Sequence, residues 1–317
     1  MPPVQSLEDW LRSVDGWLSR HTWYRMVRNS VLGLNRRDGR RKAAAMTYFA
    51  IFSIFPFLLL LISLLSFFID SRSAQEQVIG LLSEFLPAGA TGIQGIIEGV
   101  VAARGVAAGF GIVLLLWGAL GWFQAIDRGV NEMWVSSGTR SFLKGKLFAL
   151  AMIAAIGFVM LLSWAANIAV GILMSFATSI IGGSAVLWDS AVWGLTVVLM
   201  FIVFLLLYRF SPMCDLTWGD VWRGALVTAV IWSVLRSAFA IYVIQYADYS
   251  SLYGPIGAVI VFLLWLYLAH IVILFGAALT YVTRLESQGV HELQDLPCGA
   301  AREGAAEAGR RQAGTLS

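Results

Sequence analysis

Charge is scarce in this chain. Asp, Glu, Lys and Arg make up 13% of its 317 residues, about half the share of a soluble domain. Histidine occurs three times and cysteine twice, with no spacing that builds a metal site. No serine–histidine–aspartate order with a supporting glycine turn is present, no His-x-x-x-His pair and no phosphate-cradling glycine loop. The chain is therefore expected not to be an enzyme: no catalytic residue, no metal and no cofactor is assigned. Cys214 and Cys298 are both expected on the cytoplasmic side, where disulfides are unusual, and both read as inert. The first 40 residues lack a continuous apolar stretch, so no cleavable leader is expected and the first span should serve as its own insertion signal.

What is present is apolar. Hydrophobic residues make up 59% of the chain and mean hydropathy is +0.77. Apolar runs of about 20 residues, the length that spans a bilayer, recur along it. The expected fold is all-α: a polytopic membrane bundle of six transmembrane helices with amphipathic interfacial helices. The spans are expected at 43–69, 106–126, 147–175, 191–208, 224–245 and 256–282, forming a membrane domain over 43–284. Before it lies a cytoplasmic amphipathic N-terminal segment, 1–42. There Leu7, Trp10, Leu11, Val14, Trp17 and Leu18 recur at helical spacing and make a surface-lying stripe. Between the first two spans, residues 74–103 split at Pro87–Gly89 into two short amphipathic helices expected on the outer face. From Leu285 to Ser317 the chain loses its apolar periodicity and reads as a disordered cytoplasmic tail.

Orientation follows from the basic residues. With the N-terminus inside, the inner segments hold 19 of the 22 Lys and Arg, and the outer segments hold only Arg72 and Arg104. That asymmetry places both termini in the cytoplasm. Arg36, Arg37, Arg40, Arg41 and Lys42 thus read as a topology signal. No aromatic surface accompanies them, so no nucleic-acid partner is expected.

Three stretches carry a family resemblance. They are "RRKAAAMTYFAIFSIFPFLLLL", "LYRFSPMCDLTWGDVWRGALV" and "YADYSSLYGPIGAVIVFLLWLYLAHIVILFGAALT". The first has a basic cluster, small residues and a Tyr–Ser–Phe–Pro order. The second has Tyr208–Arg209 ahead of Trp218, Asp220, Gly224 and Ala225. The third has Tyr253–Gly254, a Leu–Trp core and Gly276–Ala277. Together, over roughly residues 10–285, they resemble the YihY/virulence factor BrkB family of bacterial membrane proteins. The resemblance implies a six-span inner-membrane protein linked to envelope integrity and virulence, for which transport has been suggested. An older label for the family, ribonuclease BN, finds no clustered Asp/Glu/His set here of the kind a two-metal nuclease needs. Where members often carry an acidic residue in the last span, this chain has Ala278.

Polar residues inside the spans are few, and such residues tend to face a bundle interior or a water-filled cavity. Arg236 stands in mid-span, roughly 13 Å from the outer end of its helix at 1.5 Å per residue. His270 is in the sixth span, with Tyr267 on the same face. Arg236 and His270 are expected as neighbours, with Asp189 as counter-ion and Asn167 as a hydrogen-bond partner; Gln124 completes the polar set. One reading makes Arg236, His270, Asp189, Asn167 and Tyr267 the wall of an electropositive cavity that takes an anionic lipid, a lipid-linked phosphate or an anionic solute. The other makes them interhelical hydrogen-bond partners in a non-transporting envelope scaffold. Pro56 is expected to kink the first span, with Ser53 meeting the freed backbone. Gly254, Pro255 and Gly257 are expected to form a turn or hinge. Membrane lipids are the expected partners, and the oligomeric state is left open.

Overall fold

The computed structural model describes residues 21–65, 104–135, 140–181, 185–246 and 255–288. Among the described residues the fold is all-helical, with seven helices and no strand. They are α1 (Thr22–Arg36), α2 (Gly39–Leu65), α3 (Arg104–Met133), α4 (Phe142–Ile181), α5 (Ala185–Phe210), α6 (Trp218–Tyr246) and α7 (Pro255–Ser287). Four of them are long and apolar enough to cross a membrane, over Phe142–Val159, Trp193–Phe210, Trp218–Val243 and Val259–Ser287. The stripe at 7–18, the amphipathic pair within 74–103, Gly254 and the tail beyond 288 lie outside the described residues.

α7 is the central element. It packs on α1, α2, α3 and α6 and touches α5, while α2 packs on α3, α5 on α6, and α4 on α3 and α5. Small residues allow the close approaches. A methyl group added at Gly224 of α6 would land on the Thr280 side chain and 3.0 Å from that residue's backbone N and Cα. One added at Gly118 of α3 would lie 3.2 Å from the Phe52 carbonyl oxygen of α2. Packing through small residues suits helices in lipid, where no hydrophobic effect draws them together.

The described core is concentrated toward one end of the bundle, the end that carries most of the basic residues. Met46, Val130, Trp134, Tyr208, Val221 and Leu274 are buried there. The lipid-facing rows are easy to identify: on α6, Leu226, Val227, Val230, Val234 and Ile241 are all exposed.

Several boundaries differ from those read off the hydropathy. α3 extends to Met133, α4 starts at Phe142 and α6 at Trp218, because polar helix ends project past the apolar windows. α6 is capped at Thr217, whose backbone N–H and hydroxyl both donate to the Asp220 carboxylate, at 2.8 and 2.9 Å. α7 continues to Ser287, so residues 285–287, expected in a disordered tail, are helical and Leu285 is buried. The periodicity there is masked by Arg284 and Glu286, which face other protein groups and not water. α1 lies within the segment expected to be amphipathic, but the apolar stripe at 7–18 does not single it out. Its buried row, Asn29, Ser30, Gly33 and Leu34, is largely small and polar, so it makes a weak hydropathy signal.

α2 is helical through Pro56. Ser53 does not supply the expected repair: its hydroxyl donates to the Phe49 carbonyl at 2.8 Å and not to the carbonyl of Phe52, four residues before the proline. Pro255 opens α7, a position where the missing N–H costs nothing. Cys214, expected as an inert thiol, is disulfide-bonded.

Candidate functional site

His270 of α7 is 1% exposed, and both of its ring nitrogens are engaged. The Trp122 indole N–H of α3 donates to Nε2 at 2.8 Å, so Nε2 is unprotonated. Nδ1 lies 3.0 Å from the Thr47 hydroxyl of α2, and that hydroxyl donates onward to the Ala43 carbonyl at 2.8 Å. With the hydroxyl proton already used, the neutral ring has Nδ1–H donating to Thr47. One directed chain, indole to imidazole to hydroxyl to carbonyl, therefore ties three helices together. The Trp122 ring also meets the imidazole edge-on. Neither nitrogen is left for Arg236.

A second polar seam lies deeper in the core of the same end. Tyr208 of α5 is fully buried and its hydroxyl donates to the Ile273 carbonyl at 2.8 Å. Gly276 makes room for it: a methyl group there would meet the Tyr208 and Thr228 hydroxyls.

Arg236 is half-buried. Counting 100° per residue, it falls in the row of Ala225, Ala229, Trp232 and Phe239 on α6, opposite the exposed Val230 and Val234. Trp232 meets Phe204 of α5 and Trp265 of α7 at 5.8 and 5.6 Å between ring centroids, and Phe239 meets Trp265 at 5.1 Å. The guanidinium thus starts from the inward face, one turn beyond an aromatic layer. Among the described residues it forms no hydrogen bond or ion pair. Tyr267 is half-buried and packs against the core. Asn167 lies on α4, Asp189 on α5, Pro56 on α2 and Gly257 on α7, but the side chains of the first three lie outside the described residues.

The sequence reading missed the polar cluster at the basic end. Asp127, on the last turns of α3, receives Arg140 Nη1 at 2.8 and 2.9 Å on its two oxygens, and the Ser211 hydroxyl at 2.5 Å. The other Arg140 terminus donates to the Phe210 and Ser211 carbonyls at 2.8 and 3.1 Å, and its guanidinium lies 3.7 Å over the Phe148 ring. Asn131 donates to the Ser211 carbonyl at 2.9 Å and accepts the Met213 N–H at 2.9 Å. α3, α4 and the end of α5 are thereby clamped together. Asp127 and Asn131, four residues apart on one helix face, were the available signal.

The topology-signal residues have structural partners as well. Arg37 donates to the Met133 carbonyl at the end of α3 and sits 4.8 Å over the Tyr281 ring, and Lys42 pairs with Glu132. Cations at a helix C-terminus are favoured by its dipole. Arg25 grips Glu286 with two bonds, at 3.1 and 3.2 Å, joining α1 to α7. That hydrogen bond and the Glu286 charge raise the Arg25 pKa.

Residues 31–297 match the family described as Virulence factor BrkB. The chain is 30% identical to a ribonuclease-like protein, YfkH, of Bacillus subtilis (strain 168), across 75% of this chain and 88% of that one. It is 25% identical to a UPF0761 membrane protein of Psychrobacter sp. (strain PRwf-1) and 27% identical to one of Chromohalobacter salexigens. These matches cover 82% and 80% of the chain but only 48% and 62% of those longer relatives. No solved structure matches.

Proposed function

The chain belongs to the virulence factor BrkB family, and on that basis we propose that it is a six-span bacterial inner-membrane protein, both termini cytoplasmic, that binds and moves an anionic amphiphile. The observation that carries this reading is Arg236: a cation on the inward face of an apolar helix, half-buried and without a partner among the described residues. A charge at that depth is costly, on the order of 2.5–3.5 kcal/mol on insertion scales. A guanidinium without a carboxylate partner among the described residues is suited to a phosphate or carboxylate headgroup, which its planar fork matches. His270 is satisfied by Trp122 and Thr47 and belongs to the packing of α2, α3 and α7. The six-span count adds α2 and α3, of 27 and 30 residues, to the four apolar helices. The reading is non-catalytic: the Asp127 and Glu286 carboxylates are held by arginines.

A scaffold without transport is the second reading, favoured by the clamp of Asp127, Asn131, Arg140 and Ser211, which ties helix ends together. Reconstituted vesicles separate the two. With a fluorescent phosphatidylglycerol in one leaflet and a membrane-impermeant quencher outside, wild type is expected to raise transbilayer movement and Arg236→Gln to abolish it. No movement with wild type would leave the scaffold reading standing.

A further inference from the structure

We propose that the corner between α5 and α6 is a binding site for the phosphate of an anionic phospholipid, separate from Arg236. Arg209 stands at the end of α5, and among the described residues its guanidinium makes no hydrogen bond or ion pair. Its Nε is fully buried and lacks an acceptor. A buried N–H donor on a cation is costly to leave unmet. What surrounds it is aromatic: the guanidinium lies 5.6 Å from the centroids of both Phe210 and Trp218.

The patch continues along α6. Trp222 is one turn beyond Trp218, and Arg223 sits 5.5 Å over its ring. Phe210, Trp218 and Trp222 are 42%, 52% and 43% exposed, so among the described residues no element packs over this surface. Neither neighbouring carboxylate pairs directly with Arg209: Asp220 accepts from Thr217, and Asp215 is exposed.

Depth decides the ligand. One apolar span ends at Phe210 and the next begins at Trp218, so the two rings mark the boundary between hydrocarbon and headgroups, where aromatic side chains gather. A lipid phosphate resides at that level. Two arginines interleaved with aromatic rings offer it charge-assisted hydrogen bonds, while the exposed rings accept the first acyl carbons. The site is about 27 Å along α6 from Arg236 at 1.5 Å per residue, too far for one headgroup to serve both.

The test is native mass spectrometry of the full chain in mild detergent with equimolar phosphatidylglycerol and phosphatidylcholine. Wild type is expected to retain phosphatidylglycerol preferentially. Arg209→Gln should lower that preference about tenfold, the scale of one charge-assisted bond, with unchanged thermal unfolding, and by the same factor when made in an Arg236→Gln background, so that the effect belongs to this corner. An Arg209→Gln variant with the wild-type preference would overturn the proposal. So would complete displacement of the lipid by millimolar inorganic phosphate, which would make a free anion the ligand. If Arg209→Gln does not fold, Trp218→Ala, at an exposed position, decides: loss of preference supports the site, and retention rejects it.

Discussion

Replacing His270 with Ala removes a buried ring and leaves the Trp122 N–H without its acceptor. The cavity and the unmet donor together are expected to cost about 2–4 kcal/mol, read as a lowered unfolding midpoint in detergent; a change too small to resolve would mean that the three helices do not depend on this pin. Arg25 behaves differently. Its pKa is raised by Glu286, and a cation with a raised pKa contributes stability that is complete below its ordinary value and lost only as pH climbs through the raised one. The ordinary value is already far into alkali, so Arg25 itself gives no pH dependence near neutrality. Protection of the α1 amides, taken relative to their intrinsic exchange at each pH, should therefore be flat in that range with respect to this group, and fall on Arg25→Gln. If the amides of α1 exchange no faster in that variant, the pair does not hold α1 to α7.

At the scale of elements, the clamp at the basic end has the larger effect. Asp127 and Arg140 keep 15% and 19% of their side chains exposed, which is buried enough for removal of one partner to strand the other. Asp127→Asn is expected to destabilise by about 3 kcal/mol, whereas Asp127→Asn combined with Arg140→Gln should recover part of that loss. Additive losses in the double variant, measured by chemical unfolding, would deny the coupling. This clamp also shows where sequence reading fell short. Helices α2 to α7 were legible as apolar runs, because a bilayer demands length and hydropathy that few other contexts require. Asp127, Asn131 and Arg140 fall outside the apolar runs, since hydropathy scores them as solvated and cannot register that each meets a partner distant in the sequence. α1 escaped for the same reason, its buried face being largely Asn, Ser and Gly. His270 was singled out by its rarity, but its partners Trp122 and Thr47 were indistinguishable from ordinary span residues.

For the whole molecule, alternation of the helices brings the ends of α3, α5 and α7 and the starts of α2, α4 and α6 to the basic end. Single cysteines at positions of Asp215 and Arg128, in a background without Cys214 and Cys298, should react with an impermeant maleimide only after the membrane is opened from the cytoplasmic side. Labelling of intact cells at either position would invert the orientation. The expected neighbourhood of Arg236 and His270 is the part of the site that depth alone suggested, and depth says nothing about azimuth: His270 turns toward α2 and α3, which bind both of its nitrogens, while Arg236 lies on the face of α6 shared with the Trp232–Trp265 aromatic layer.

The central place of α7 bears on biosynthesis. Of the described helices it is the last to leave the ribosome, yet α1, α2, α3 and α6 all pack on it. Until residues beyond Pro255 have been translated, the nascent chain must hold the Trp122 indole and the Tyr208 hydroxyl in lipid without the acceptors that α7 supplies. Translation order and assembly order thus run in opposite directions. A ribosome stalled before α7 would present a set of inserted but unassembled helices, which an insertase or membrane chaperone must retain until the final segment arrives.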